Sequence, residues 1–162
     1  MKKIIKEIIP YVVIAIVVIL IRTFLVTPVR VDGLSMYPTL KDNEILILNK
    51  YDQSYKRFDI VVIKYGEEKL IKRVIGLPGE NIEYKNNKLY INGKLIEEKF
   101  INCDTENFKL DSLGYSKIPN DYYFVVGDNR DNSNDSRLIG VISKKEIKGT
   151  VKISVTSFKK LK

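Results

Sequence analysis

Leu89-Tyr90-Ile91-Asn92-Gly93-Lys94-Leu95-Ile96 reads as two short strands joined by a two-residue turn. Asn-Gly between apolar runs favours a type I′ turn, whose two central residues need positive φ and whose twist matches that of the flanking strands. Outward from this hairpin the pattern repeats. Segments rich in β-branched and aromatic residues lie at 44–48, 59–64, 69–77, 81–85, 88–91, 94–96, 122–126 and 150–156, separated by turn residues. Short strands punctuated in this way predict an all-β domain. Pro78-Gly79 is expected to turn the chain after the 69–77 strand, and 99–120 has no clear period and reads as an extended loop. Residues 144–148 predict a short helical turn with Ser143 as its N-cap.

The N-terminus departs from this pattern. Lys2, Lys3 and Lys6 precede an apolar run at 8–21, which Phe24-Leu25-Val26 extends beyond Arg22 and Thr23. As a helix, 8–26 is about 28 Å long, close to the hydrocarbon thickness of a bilayer. Arg22 near the far end has a stem that can snorkel to the interface, and Pro10 falls in the first turns, where proline is tolerated. A cleaved signal fits less well, because no small-x-small site follows. The sequence thus predicts a mainly β protein with one N-terminal transmembrane helix. Residues 1–27 form a cytoplasmic N-terminus and anchor, and 28–162 an extracytoplasmic β-rich domain, oriented by the lysines that precede the span. Half of the net charge of +8 lies in the first 30 residues, so the basic balance is partly a membrane signal.

The chain of 162 residues has no histidine and a single cysteine, Cys103. A Ser-His-Asp triad, a Cys-His pair and an intrachain disulfide are therefore excluded, and no residue set suits a zinc site. No metal or cofactor is implied. Ser35, in Gly33-Leu34-Ser35-Met36-Tyr37-Pro38-Thr39-Leu40, is the candidate nucleophile. Without histidine, the base near neutrality must be a lysine that burial has stripped of its charge. Lys72 fits, because Leu70-Ile71-Lys72-Arg73-Val74-Ile75 surrounds it with apolar residues in either strand register. A third stretch, Gly127-Asp128-Asn129-Arg130-Asp131-Asn132-Ser133-Asn134-Asp135-Ser136-Arg137, is dense in side chains that bond to backbone. It fails as a calcium loop, since Ser136 holds the glycine position and Ile142 the closing glutamate position. Ser157-x-x-Lys160 lacks companion motifs, and Tyr37 stands where a nucleophile elbow needs glycine.

Ser35-Met36-Tyr37-Pro38-Thr39-Leu40, Lys72-Arg73-Val74-Ile75-Gly76-Leu77-Pro78-Gly79 and the Gly127 to Arg137 stretch, in this order behind an N-terminal anchor, resemble the motifs of bacterial type I signal peptidases. Arg57-Phe58-Asp59-Ile60-Val61-Val62 also resembles a family strand, with Phe58 where glycine is common. The short length and single anchor are similar to the compact single-span members. The resemblance implies a membrane-anchored serine endopeptidase with a Ser/Lys dyad, cutting signal peptides from exported preproteins after small-x-small sequences. Its partners would be preprotein signal peptides, the lipid bilayer and the secretion machinery, with no nucleic acid. Ser35 would be the nucleophile and Lys72 the general base. Ser133 would orient the Lys72 amine, and Asp128, Arg130, Asp135 and Arg137 would hold the loop in shape. Gly33 stands where some members place an oxyanion-stabilising serine, so a backbone donor or water is expected there. Val29, Val31, Met36, Leu40, Leu70 and Ile71 match the family's substrate pockets, and each also reads as a core residue. A self-cleaving repressor would need a DNA-binding domain in place of the anchor. A tethered β domain that binds a partner would explain the charge but not the three motifs.

Overall fold

A computed structural model of the chain describes residues 2–24, 26–51, 53–101, 103–157 and 159–161. A helix, α1 (Lys2–Phe24), is followed by strand β1 (Val26–Arg30). Then come β2 (Ile45–Asn49), β3 (Ile60–Tyr65), β4 (Glu68–Gly76), β5 (Ile82–Lys85), β6 (Lys88–Ile91), β7 (Lys94–Ile96) and β8 (Phe108–Lys109). A 3-10 turn (Leu110–Leu113) leads to β9 (Tyr122–Val126), the one-turn helix α2 (Ser136–Ile139), β10 (Ile142–Ser143), β11 (Ile147–Ser154) and β12 (Lys159–Lys160). The larger sheet runs β1-β2-β11-β3-β4-β9-β10 with β12 on β11, and the smaller runs β7-β6-β5-β8. The expected mainly β architecture is what the chain forms.

Strand β4 is the centre of the molecule. Residues 71–76 are all buried, so both faces of the strand are covered. Ile71 joins one apolar cluster with Met36, Leu40, Leu46 and Ile60; Val74 joins a second with Val61, Ile63 and Val125; Ile75 joins a third. That third cluster seats the smaller sheet on the larger one, through Ile82, Tyr84, Leu89 and Ile91 against Phe124 and Val126.

Seven of the eight expected strands form within a residue of their expected bounds. Asn92 and Gly93 have φ of 50° and 76°, as a type I′ turn requires, and Asn86-Asn87 at 50° and 62° makes a second tight turn between β5 and β6. The last expected strand begins earlier, at Ile147. Strand β11 passes through Gly149 with a register shift against β3. A side chain there would strike the Asn49 carbonyl oxygen. Strand β1 was not expected, because Pro28 cannot donate to a ladder; it is tolerated because β1 takes an outer position and pairs with β2. The 99–120 loop is tied down by β8 and by the buried Leu110 and Ile118. Residues 144–146 form a turn, not a helix.

At the N-terminus, the apolar side chains of α1 from Ile8 to Leu20 are exposed, Tyr11 the most. Among the described residues no helix is long and apolar enough to cross a membrane. Within α1 (Lys2–Phe24) the side chains described are those of 6–20. The side chains of Lys2, Lys3 and Arg22 lie outside that part, and Leu25 lies outside the described residues. Val26, read from the sequence as the end of the apolar run, is the first residue of β1 and pairs with Asn49.

Candidate active site

Ser35 sits on a tight turn between β1 and β2. Tyr37 N donates to the Leu34 carbonyl at 3.0 Å and Leu40 N to the Met36 carbonyl at 2.9 Å. Met36 and Leu40 are 1% and 0% exposed and root this turn in the core, which leaves the preceding Ser35 half-buried at its surface. Gly33, at φ +86°, lets the chain enter the turn, and its N–H is held by Asp42 Oδ1 at 2.9 Å.

Lys72, in the middle of β4, is 2% exposed, and its Nζ donates to Ser35 Oγ at 2.8 Å. Burial lowers its pKa from 10.5 to about 8, against the pull of Asp135 and Asp128, which favour the charged form, and with some help from Arg137. Among the described residues no cluster of potential metal ligands is found.

The stretch from Gly127 to Arg137 leaves β9, meets the Ser35 turn where Asn129 N donates to the Ser35 carbonyl at 3.0 Å, and is braced by three ion pairs. Arg73, on the face of β4 opposite Lys72, grips both oxygens of Asp128 at 2.8 and 2.6 Å, with neither side chain exposed. It also donates to the Phe58 carbonyl and lies 4.0 Å over the Phe100 ring. Arg130 donates to the Gly127 carbonyl at 3.0 Å, to Thr105 at 2.9 Å and to Glu98 at 2.6 Å. Asp135 caps α2 by accepting from Arg137 N, accepts from Gly127 N at 3.0 Å and pairs with the Arg137 guanidinium at 2.9 Å. Although burial alone would raise its pKa, Arg137 above all holds the Asp135 carboxyl below its usual value. Asp128, Arg130, Asp135 and Arg137 are thus brought together with Ser35 and Lys72. Glu98, Thr105 and Arg73 complete the frame. Nothing in the Glu97-Glu98 pair distinguishes the buried partner from an exposed acid, so the sequence alone does not single out Glu98.

Gly127 lies between the two catalytic candidates and the loop. A Cβ there would fall on Ser133 Oγ and on the Ser35 carbonyl oxygen. Ser133 Oγ is buried and has no hydrogen-bond partner among the described residues. It is near enough to Asp135 to help stabilise that charge, but not in bonding geometry. The bond expected from Ser133 to the Lys72 amine is therefore not made here, because Nζ is turned to Ser35. Phe58 takes φ +70° in place of the family's glycine, and its ring packs edge-on against Phe100 at 5.1 Å.

Beside the Ser35 turn runs a groove of about 810 Å³, between β1 and the first half of β4. Val29, Val31, Leu70 and Ile71 border it. Met36 and Leu40 do not. Their side chains are consumed by the core that supports the turn. Strand β9 pairs with β4 only from Arg73 onward, so along the groove β4 has β3 as its strand partner on one side alone. That arrangement leaves room for an extended peptide.

A family model described as signal peptidase, peptidase S26, matches residues 2–156. The chain belongs to the S26 signal peptidase family. It is 44% identical over 154 residues to a signal peptidase I of Bacillus amyloliquefaciens, covering 89% of this chain and 83% of that one. It is 42% identical over 173 residues to signal peptidase I S of Bacillus subtilis (strain 168), covering 99% and 94%. Among solved structures, a signal peptidase I from Enterococcus faecalis V583 aligns with a TM-score of 0.57 at 34% identity, over 60% of this chain and 96% of that chain. As a family member this chain is a serine peptidase of the signal peptidase I type.

Proposed function

We propose that this S26 peptidase removes signal peptides from exported preproteins with a Ser35/Lys72 dyad, while held on the membrane by α1. The observation that carries this reading is the 2.8 Å contact between a half-buried serine hydroxyl and a buried lysine amine whose pKa has fallen to about 8. About a tenth of such an amine is neutral at pH 7, against less than a thousandth at the ordinary lysine value. The neutral Lys72 amine accepts the Ser35 proton as Oγ attacks the carbonyl of the scissile bond. The negative charge gathers on the carbonyl oxygen, where the Ser35 backbone N–H can receive it. The Lys72 ammonium then protonates the leaving amine. In the second half, neutral Lys72 activates the water that cleaves the acyl-enzyme.

Ser133 is the reserve acceptor in this scheme. A buried hydroxyl without a partner is costly, and the Lys72 ammonium needs a new acceptor while Ser35 Oγ is bonded to the carbonyl carbon of the tetrahedral intermediate. Catalytic hydrogen bonds often tighten only when substrate is bound. The signal peptide lies extended along the groove, bonding to the unpaired edge of β4, with small residues near Val29, Val31, Leu70 and Ile71.

The anchor reading rests on the apolar run 8–26, on the exposed apolar face of α1 and on the start of β1 two residues after the helix. On this reading residues 1–27 are the cytoplasmic end and the span, and 28–162 face the outside, where preproteins emerge from the secretion machinery. Ser35 then lies close to the bilayer surface, where a signal peptide's cleavage site is presented. The test is a detergent-solubilised preparation incubated with a preprotein and read by mass spectrometry. Release of the mature chain after a small-x-small site supports the reading, and an intact preprotein refutes it.

A further inference from the structure

Gly33 leaves this site without a side-chain donor where some relatives carry a serine, so the Ser35 N–H is the donor on which the oxyanion depends. The Ser35 N–H has no protein partner among the described residues. Its direction is set from behind. The Leu34–Ser35 peptide is trans, so the Leu34 carbonyl and the Ser35 N–H point to opposite sides of one rigid plane. On the carbonyl side stands Asn129. Its Nδ2 donates to the Leu34 carbonyl at 3.1 Å, and its backbone N donates to the Ser35 carbonyl at 3.0 Å. One residue thus grips both carbonyls that flank the nucleophile.

We propose that Asn129 is a positioning residue for oxyanion stabilisation: its side chain locks the Leu34–Ser35 peptide plane so that the Ser35 N–H faces the reacting carbonyl. Two physical effects act together. The bond to the Leu34 oxygen prevents the plane from swinging toward the Tyr37 N–H alone, which shares that acceptor. It also polarises the peptide, which makes the Ser35 N–H a stronger donor at the moment charge develops. Lys72 is not touched by Asn129, so the base is left as it is. This role rests on the Ser35/Lys72 reading and deepens it.

The test compares Asn129→Asp and Asn129→Ala with Asn134→Ala, an exposed asparagine of the same loop, in the full detergent-solubilised chain. Asn129→Asp keeps the side-chain size and the backbone bond to Ser35 while replacing the donor with an acceptor, so it remains informative if the alanine variant folds poorly. Four readouts are taken: kcat, KM, the pH midpoint of kcat/KM, and the affinity for a substrate-like peptide aldehyde, whose adduct with Ser35 carries the tetrahedral oxygen. The expected result is a fall of about tenfold or more in kcat for both Asn129 variants, with aldehyde affinity falling by a similar factor. KM stays at its wild-type value, the pH midpoint stays put in the uncharged Asn129→Ala and rises in Asn129→Asp, whose added carboxylate favours the Lys72 ammonium, and Asn134→Ala behaves as wild type. Unchanged kcat in Asn129→Asp overturns the proposal. So does a loss of kcat accompanied by a shifted pH midpoint in Asn129→Ala, which would place the effect at Lys72, or by unaltered aldehyde affinity in either variant. A wild-type chain that cleaves no preprotein would refute the dyad reading itself, an outcome separate from these.

Discussion

At the Lys72 position folding takes an ammonium group out of water, and the cost falls on stability as well as on rate. Its pKa drops from 10.5 to about 8, chiefly by burial. Between those values the unfolded chain holds a proton that the folded chain has released, so the contribution to stability rises with pH across this window. Below about pH 8 both states are protonated and the penalty stands in full, roughly 3 kcal/mol for a shift of this size. Lys72→Met, which keeps the volume and removes the charge, is therefore expected to be the more stable protein at pH 7, with an advantage that shrinks toward pH 10. Thermal unfolding of both proteins across that range checks this, and an advantage independent of pH contradicts it. Ser133 gives a second prediction at this scale. Its Oγ has no hydrogen-bond partner among the described residues, so Ser133→Ala should unfold close to the wild-type temperature. Its kcat should nevertheless fall by one or more powers of ten, because the Lys72 ammonium loses its acceptor. The neighbouring loop serine, Ser136, does not make a clean comparison, since it is fully buried and its Oγ accepts from Val125 N at 3.0 Å. Asn134→Ala serves instead.

At the scale of elements, β4 and the loop after β9 must meet within van der Waals contact while carrying buried charge. Gly127 permits the approach. Gly127→Ala places a methyl on Ser133 Oγ and the Ser35 carbonyl, so a destabilisation of about 1 to 3 kcal/mol and a loss of kcat/KM of about a hundredfold or more are expected. Wild-type kinetics in this variant would mean that the three segments can part without harm. Asp128→Asn removes the charge from the carboxylate that holds Arg73 in an ion pair with no solvent access, and urea titration should show a loss of about 3 to 5 kcal/mol. These elements differ in how far they can be read from residues alone. The β5 to β7 hairpins were legible because Asn-Gly and alternating apolar residues are local signals. Strand β1 was not, because its one clear local mark, Pro28, argues against a strand and the pairing with β2 is a tertiary fact. Lys72 was found through the chemistry missing from the rest of the chain. For Met36 and Leu40 the sequence left a pocket and a core reading side by side, because an apolar side chain beside a nucleophile looks the same in sequence whether it lines a groove or roots a turn; both lie in the core cluster that also holds Val31 and Ile71. Glu98 and Asn129 gave no signal, since their importance lies in partners 32 and 95 positions away.

For the whole molecule, the account joins a helix with an exposed apolar surface to a β domain whose groove opens near the point where that helix ends. External protease added to intact cells is expected to digest the domain after Thr27 and to leave the first residues protected; a protected domain would reverse the proposed orientation. The central claim is that one serine and one neutral lysine perform the cleavage. It is tested most directly by kcat/KM for signal-peptide removal from a preprotein, measured from pH 5 to 10 on the detergent-solubilised enzyme beside Ser35→Ala and Lys72→Ala. The account predicts a single rising limb with its midpoint near 8, fading activity in mild acid, and no cleavage by either variant. A rate that is flat through that range, or turnover by Lys72→Ala, would contradict it.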